Sequence, residues 1–388
     1  MPLSKRRVIG TAVAVVVAIA VVLFGAGWFY SDEIKSGALV PDHQESEFDL
    51  VVAAVGDGEI TLRATSETDR DGAWSKDGVW GLKLEGGYAR VGKVLEKRED
   101  EVVRELVLLS DGPEVGEQAR LDSFSFPGDP LTAHGILFED VVFTSGLGDF
   151  PAWFVDGPQD TWVVLVHGHN SNRREGLRML QVLAEQGYPT LLITYRNDEG
   201  APANPDGYIR FGATEWEDLE GAVRYAIENG AQSVVPVGYS MGGGIVASFL
   251  YRSSLVSQVP GAILDAPMLD FGATVDYRAS RRRLPVVGLP IPGILTDVAK
   301  VISAGRFGID WGALDYVQDA QELSVPILLF HGDADPSVPI ATSDRLAEAR
   351  PDIVDYVRIP DTLHVAAWNA DPEVYGIEVS GFLRELSE

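Results

Sequence analysis

Between Val8 and Tyr30 the chain runs for 23 residues without a charged side chain, rich in Val, Ala and Ile. At 1.5 Å per residue such a helix reaches roughly 34 Å, enough for a hydrocarbon core of about 30 Å. No face of it is polar, so a soluble core could not cover it as an ordinary surface helix. Lys5, Arg6 and Arg7 precede the run, and Asp32 and Glu33 follow it. Basic residues stay on the cytoplasmic side, so the N-terminus is expected inside and everything after about residue 31 outside. Trp28, Phe29 and Tyr30 would anchor the outer interface. The competing expectation is a cleaved signal peptide, which would leave the protein secreted. A signal's apolar region usually spans about 7–15 residues and ends at a small-x-small site. Here the run is longer and ends in bulky aromatics.

The chain as a whole is strongly acidic. Its 388 residues hold 31 Lys+Arg against 58 Asp+Glu, a formal charge of −27. That balance repels phosphate backbones and argues against nucleic acid as a partner. There is no Cys, which excludes disulfides, thiolate metal sites and a cysteine nucleophile. Residues 31–47 are polar, contain Pro41 and read as a linker. From 48 to 130 short apolar runs flank turn signals. Phe48–Val55 and Glu59–Ala64 enclose Gly56-Asp57-Gly58, and Val79–Leu84 and Tyr88–Val94 enclose Gly86-Gly87. Glu101–Leu109 reads as strand or short helix. A small β-rich domain follows, either a spacer or a module that gates substrate or binds a partner.

From about 135 to 388 strand and helix patterns alternate. Trp162–Val166, Thr190–Tyr195, Ser233–Val237, Ala262–Leu264, Ile327–Phe330 and Tyr356–Ile359 are apolar runs suited to buried strands. Arg174–Gln186, Glu215–Asn229, Gly243–Tyr251, Ser343–Ala349 and Pro372–Leu386 carry helical spacing. The expected fold class is α/β, a mainly parallel sheet flanked by helices. Residues 271–311 interrupt the alternation with the Pro-rich stretch Leu284–Pro292, either a lid or acyl-binding surface or an ordinary packed excursion.

Gly238-Tyr239-Ser240-Met241-Gly242 lies between an apolar strand and a helix. A strained strand–turn–helix of this kind exposes a serine hydroxyl, and small neighbours let other backbone pass close. A serine needs a general base, usually His, oriented by a carboxylate. His331-Gly332-Asp333-Ala334-Asp335 follows one late strand, and Asp361-Thr362-Leu363-His364 follows the last. The order Ser240, acid, His364 suits that arrangement, with Asp333 and Asp335 both within reach as the acid.

With His167-Gly168-His169-Asn170 after the Trp162–Val166 strand, these motifs make residues 135 to 388 resemble the α/β-hydrolase superfamily. Within it the chain is most similar to membrane-anchored, esterase- or lysophospholipase-like members. His331 to Pro339 matches the superfamily pattern H-G-x-x-D-x-x-V-P, which assigns the acid to Asp335. The resemblance implies Ser240 as nucleophile, His364 as base, and an oxyanion hole from the N–H of Met241 plus that of His169, or else Asn170. It implies hydrolysis of a carboxylic ester or related small acyl substrate through an acyl-enzyme on Ser240, with no cofactor or metal. The alternatives are a peptidase or thioesterase with the same three residues, or an inactive membrane-anchored interaction protein.

The charge distribution around the apolar run makes a direct prediction. Trypsin added to intact cells should digest the bulk of the chain. Protection in intact cells, with digestion only after lysis, would refute the outward orientation.

Overall fold

The computed structural model describes residues 5–44, 46–69, 72–108, 112–284 and 288–387. Leu109 of the third apolar run, and Pro285, Val286 and Val287 of the Pro-rich stretch, lie outside the described residues. Helix α1 covers Lys5–Ile34 and is long and apolar enough to cross a membrane. The helix runs past Tyr30, and a π-helical turn, Lys35–Leu39, continues it. The stretch expected to be a polar linker is therefore partly built into the fold. The physical reason is a pair of apolar residues: Ile34 and Leu39 are 9 % and 1 % exposed and belong to the main hydrophobic core.

Six strands, β1 (Leu50–Val55), β2 (Glu59–Ala64), β3 (Trp80–Leu84), β4 (Tyr88–Lys97), β5 (Glu101–Leu108) and β6 (Gln118–Asp122), form a small closed barrel. Its strand order is β1-β2-β5-β4-β3-β6, with β6 pairing back to β1. Period-2 alternation sends Leu50, Val52, Ile60, Leu62, Leu82 and Val91 into its centre. Short helix α2 (Pro130–His134) leads out of it.

The larger unit is an eight-stranded sheet of β7 (Glu139–Ser145), β8 (Gly148–Val155), β9 (Thr161–Val166), β10 (Thr190–Ile193), β11 (Ser233–Tyr239), β12 (Ala262–Asp265), β13 (Ile327–Gly332) and β14 (Val354–Ile359). Its order is β14-β13-β12-β11-β9-β10-β8-β7. Strand β8 alone is reversed, antiparallel to both of its neighbours, β7 and β10. Helices α3 (Leu177–Glu185), α4 (Trp216–Glu228), α5 (Met241–Arg252), α6 (Phe271–Arg281), α7 (Gly293–Phe307), α8 (Ala341–Ala349), α9 (Ala367–Ala370) and α10 (Pro372–Glu385) connect and cover it. Alternate residues of β9 separate the two faces. Trp162, Val164 and Val166 join the core under α4 and α5, while Val163 and Leu165 join the core under α3 and α10. This is an α/β-hydrolase-like sheet with an apolar N-terminal helix and a small β-barrel. The strand ends that carry Ser240, Asp335 and His364 all lie along the same, carboxyl-terminal edge.

Among the described residues Arg104 is the largest fully buried side chain, and it sits in the barrel. Its guanidinium donates to the carbonyls of Gly92 (2.8 Å), Trp74 (3.0 Å), Gly78 (3.1 Å) and Ala73 (3.2 Å). Burial pushes its pKa down to about 10, against the charge of Asp77. An Arg104→Met substitution takes a charged donor from all four carbonyls, of which Ala73 O keeps the Lys76 N–H, and should destabilise the barrel by about 3 kcal/mol or more. Hydrogen exchange across β1–β6 in the full chain should accelerate; unchanged protection would contradict this role.

Candidate active site

Strand β11 ends at Tyr239 and α5 begins at Met241, so Ser240 alone turns the chain. It does so at φ 50° and ψ −116°, a backbone that side chains disfavour. Hydrogen bonds hold it there. Its N–H donates to Asp265 O (3.0 Å), and its carbonyl accepts from Gly243 N–H and Met268 N–H (2.9 Å each). Two glycines are sterically required: a Cβ on Gly238 would collide with the Gly242 carbonyl, and one on Gly242 with the Val166 carbonyl.

His364 lies beyond β14, in a loop that reaches back to this turn. Its Nε2 is 2.8 Å from Ser240 Oγ, and its Nδ1 is 2.6 Å from Asp335 Oδ2. A carboxylate only accepts, so Nδ1 carries the proton, and the Nε2 of the neutral ring is left to accept from the serine hydroxyl. Asp335, 3 % exposed, follows β13. Its Oδ1 accepts from the N–H of Ser337 (2.7 Å) and Val338 (2.9 Å). Its Oδ2 also meets His331 Nε2 at 3.2 Å. Burial alone would raise this carboxyl, but the charge and hydrogen bonds of His364 and His331 outweigh it and hold the group well below the usual carboxylate range. Asp333 stands apart: its Oδ1 accepts from the backbone N–H of Asp361 and pins the approach to the His364 loop.

The oxyanion candidates occupy two adjoining segments. Met241 is the first residue of α5, where backbone N–H groups lack helical partners. The loop after β9 passes so near the serine that a Cβ on Gly168 would lie 3.0 Å from Ser240 Cβ. Next to it, the His169 ring stacks on Phe211, and its Nε2 contacts Ala38 O at 2.8 Å. Asn170 adopts φ 51° and accepts a hydrogen bond from Asp42 N–H through Oδ1 (3.1 Å). The chain just past α1 thus braces both residues.

Sequence reasoning missed several supports. Tyr277 OH donates to Asp335 O (2.7 Å), and Arg278 Nε to Ser337 O (2.9 Å), so α6 caps the acid loop. Leu363 and Ala366, on either side of His364, pack into the barrel core. Asn369 and Val79 exchange backbone and side-chain hydrogen bonds of 2.8 Å, which fastens the barrel to α9, the helix that follows this loop. No local motif marks these contacts, because each joins segments far apart in sequence. Between barrel and sheet lies a polar cleft of about 800 Å³, walled by Trp74, Lys76 and Lys97 on one side and by Tyr277, Arg281 and His364 on the other.

Comparison with known proteins agrees with this fold. Residues 157–303 match the family described as serine aminopeptidase, S33, and residues 51–122 match a domain of unknown function (DUF8805). No curated protein matches the chain. The solved structures similar to it include the Pyrococcus furiosus esterase Pf2001. In one crystal form this esterase is 20 % identical with a TM-score of 0.51, over 65 % of this chain and 93 % of that one. In a second the values are 19 %, 0.51, 65 % and 91 %. The likeness is one of fold.

Asp265, at the end of β12, is 1 % exposed. Burial pushes its pKa up to about 7, against the pull of the Arg178 charge. The unfolded chain releases this proton near pH 4 and the folded chain only near 7, so the group's contribution is fully present below about pH 4 and is lost as pH rises towards 7. Asp265→Asn removes that loss. Its effect on the unfolding free energy should be more favourable at pH 8 than at pH 5, by a difference on the order of 3 kcal/mol. An equal shift at both pH values would contradict the assignment.

Proposed function

We propose that this chain, a member of the α/β-hydrolase superfamily by its fold, is a serine hydrolase that cleaves carboxylic esters or related acyl compounds through an acyl-enzyme on Ser240. The observation that carries the reading is a pair of hydrogen bonds through one ring, Ser240 Oγ to His364 Nε2 (2.8 Å) and His364 Nδ1 to Asp335 Oδ2 (2.6 Å). Ser240 Oγ attacks the acyl carbon while His364 Nε2 takes its proton. Asp335 orients the ring and stabilises the imidazolium. The N–H groups of Met241 and His169, with Asn170 as the second choice for the latter, face the oxyanion; one such donor is typically worth about 2.7–4 kcal/mol. The alcohol leaves with the proton from His364. A water, deprotonated by the same ring, then attacks the acyl-enzyme and releases the acid.

The fold neighbour from Pyrococcus furiosus is an esterase, which supports ester hydrolysis as the reaction. The polar cleft beside His364 suits a polar leaving group. On this reading α1 spans the membrane with its N-terminus in the cytoplasm and holds the catalytic unit outside. The match of residues 157–303 to a serine aminopeptidase family favours a second reading, cleavage of an N-terminal peptide bond by the same three residues. Parallel assays with p-nitrophenyl esters and aminoacyl p-nitroanilides separate the two.

A fluorophosphonate probe should label the detergent-solubilised chain at Ser240 and leave Ser240→Ala unlabelled. Asp335→Asn should slow labelling by about 10³-fold or more, because the ring loses its orienting acceptor. Equal labelling of wild type and Ser240→Ala would refute the proposal.

A further inference from the structure

Helix α6 stands between two spaces of opposite character. On the barrel side is the polar cleft with His364 in its wall. On the other side is a cavity of about 110 Å³ walled by Tyr30 and Ile34 of α1, Phe271, Val275 and Ala279 of α6, and Ile291. Its two buried hydroxyls are already committed: Thr274 Oγ1 donates to Asp270 O and Thr296 Oγ1 to Gly293 O, both at 2.8 Å. At its edge Arg282 faces Glu33 at 3.5 Å. The interior is therefore suited to hydrocarbon and offers a polar group little to bond with.

Two residues of the cavity wall hold segments that support the reacting centre. Ala38, in its wall, contacts the His169 ring through its carbonyl. Arg278, also in its wall, bonds Ser337 O, and Ser337 N–H bonds Asp335. The cavity also lies against α1, the one helix among the described residues that is apolar enough to cross a membrane. Helix α7 runs alongside that helix in the same direction. A Cβ on Gly27 would press on Val298 and Ile302, while Arg306, two turns further along α7, pairs with Asp32 and stacks over Trp28. The start of α7 thus points back along the apolar part of α1, and Leu289, Ile294 and Val301 are exposed there. An apolar cavity, an apolar helix and an exposed apolar surface are continuous at this point.

We propose that this cavity is the acyl subsite, and that it takes the aliphatic chain of an amphiphilic ester. The bilayer beside it is the phase in which long-chain esters are held. The proposal rests on the serine hydrolase reading and deepens it by naming the substrate class.

The test uses the full chain in detergent and p-nitrophenyl esters from acetate to octanoate. For the wild type, kcat/KM should rise about three- to fourfold per added methylene until the cavity is filled. Ala279→Phe fills the cavity and should cut the octanoate value at least tenfold while leaving acetate within twofold. Ile291→Ala enlarges it and should move the optimum to a longer chain. Both variants should keep fluorophosphonate labelling of Ser240, which reports that the site is folded. Intact labelling with an unchanged chain-length profile in both variants would overturn the acyl subsite alone. A wild type that neither labels at Ser240 nor hydrolyses any of the esters would instead overturn the hydrolase reading, and the subsite with it.

Discussion

Ser240 is held in a conformation it would not adopt by itself. A residue at φ 50° and ψ −116° costs on the order of 1–3 kcal/mol and persists only when its surroundings over-determine it. Here three backbone hydrogen bonds grip the turn, and the glycines at 238 and 242 let two neighbouring carbonyls approach. The strain lifts the hydroxyl off the strand end and into reach of His364. It is not isolated: Asn170, Ala266, Asp361 and Val365 also have positive φ, and each lies in a segment bordering the site. Val365, β-branched and next to His364, is the costliest of these by steric argument. The carboxyl edge of the sheet concentrates this strain, and the two large cores beneath it supply the compensation.

The two segments outside the sheet converge on the same edge. The barrel packs Leu363 and Ala366 into its own core and so fixes the loop that carries the imidazole. The chain after α1 delivers Ala38 and Asp42 to the rings and amides of the loop on the opposite flank of the serine. Ser31 is fully buried and bonds Arg306, so the end of the apolar helix is part of the fold rather than a tether. Barrel, sheet and helix thus meet around one hydroxyl group.

Much of this was legible in sequence for a physical reason. Buried parallel strands require uninterrupted apolar runs such as Trp162–Val166, and the elbow requires Gly at fixed offsets from the serine; both are local constraints. The order of Ser240, Asp335 and His364 along the chain was also readable, since each follows a strand. Choosing Asp335 over Asp333 depended on a motif match. The distinguishing contact, Asp333 to the Asp361 amide, joins residues 28 apart and leaves no local trace. Closure of the barrel was equally invisible, because strand β6, Gln118–Asp122, has a charged and unremarkable sequence and is defined only by its pairing with β1 and β3. The polar composition of residues 31–47 hid the two apolar residues that dock the segment, since two buried side chains suffice where the rest faces water.

On the proposed chemistry Ser240 and His364 act as one unit. This is tested most directly by comparing kcat/KM for one short acyl ester in Ser240→Ala, His364→Ala and the double variant. Groups that share a single step are non-additive: once either is lost, removing the other costs little more. The double variant should be no slower, within error, than the slower single variant, and both singles should fall by about 10³-fold or more. Losses that multiply, or a single variant that keeps the wild-type rate, would contradict it.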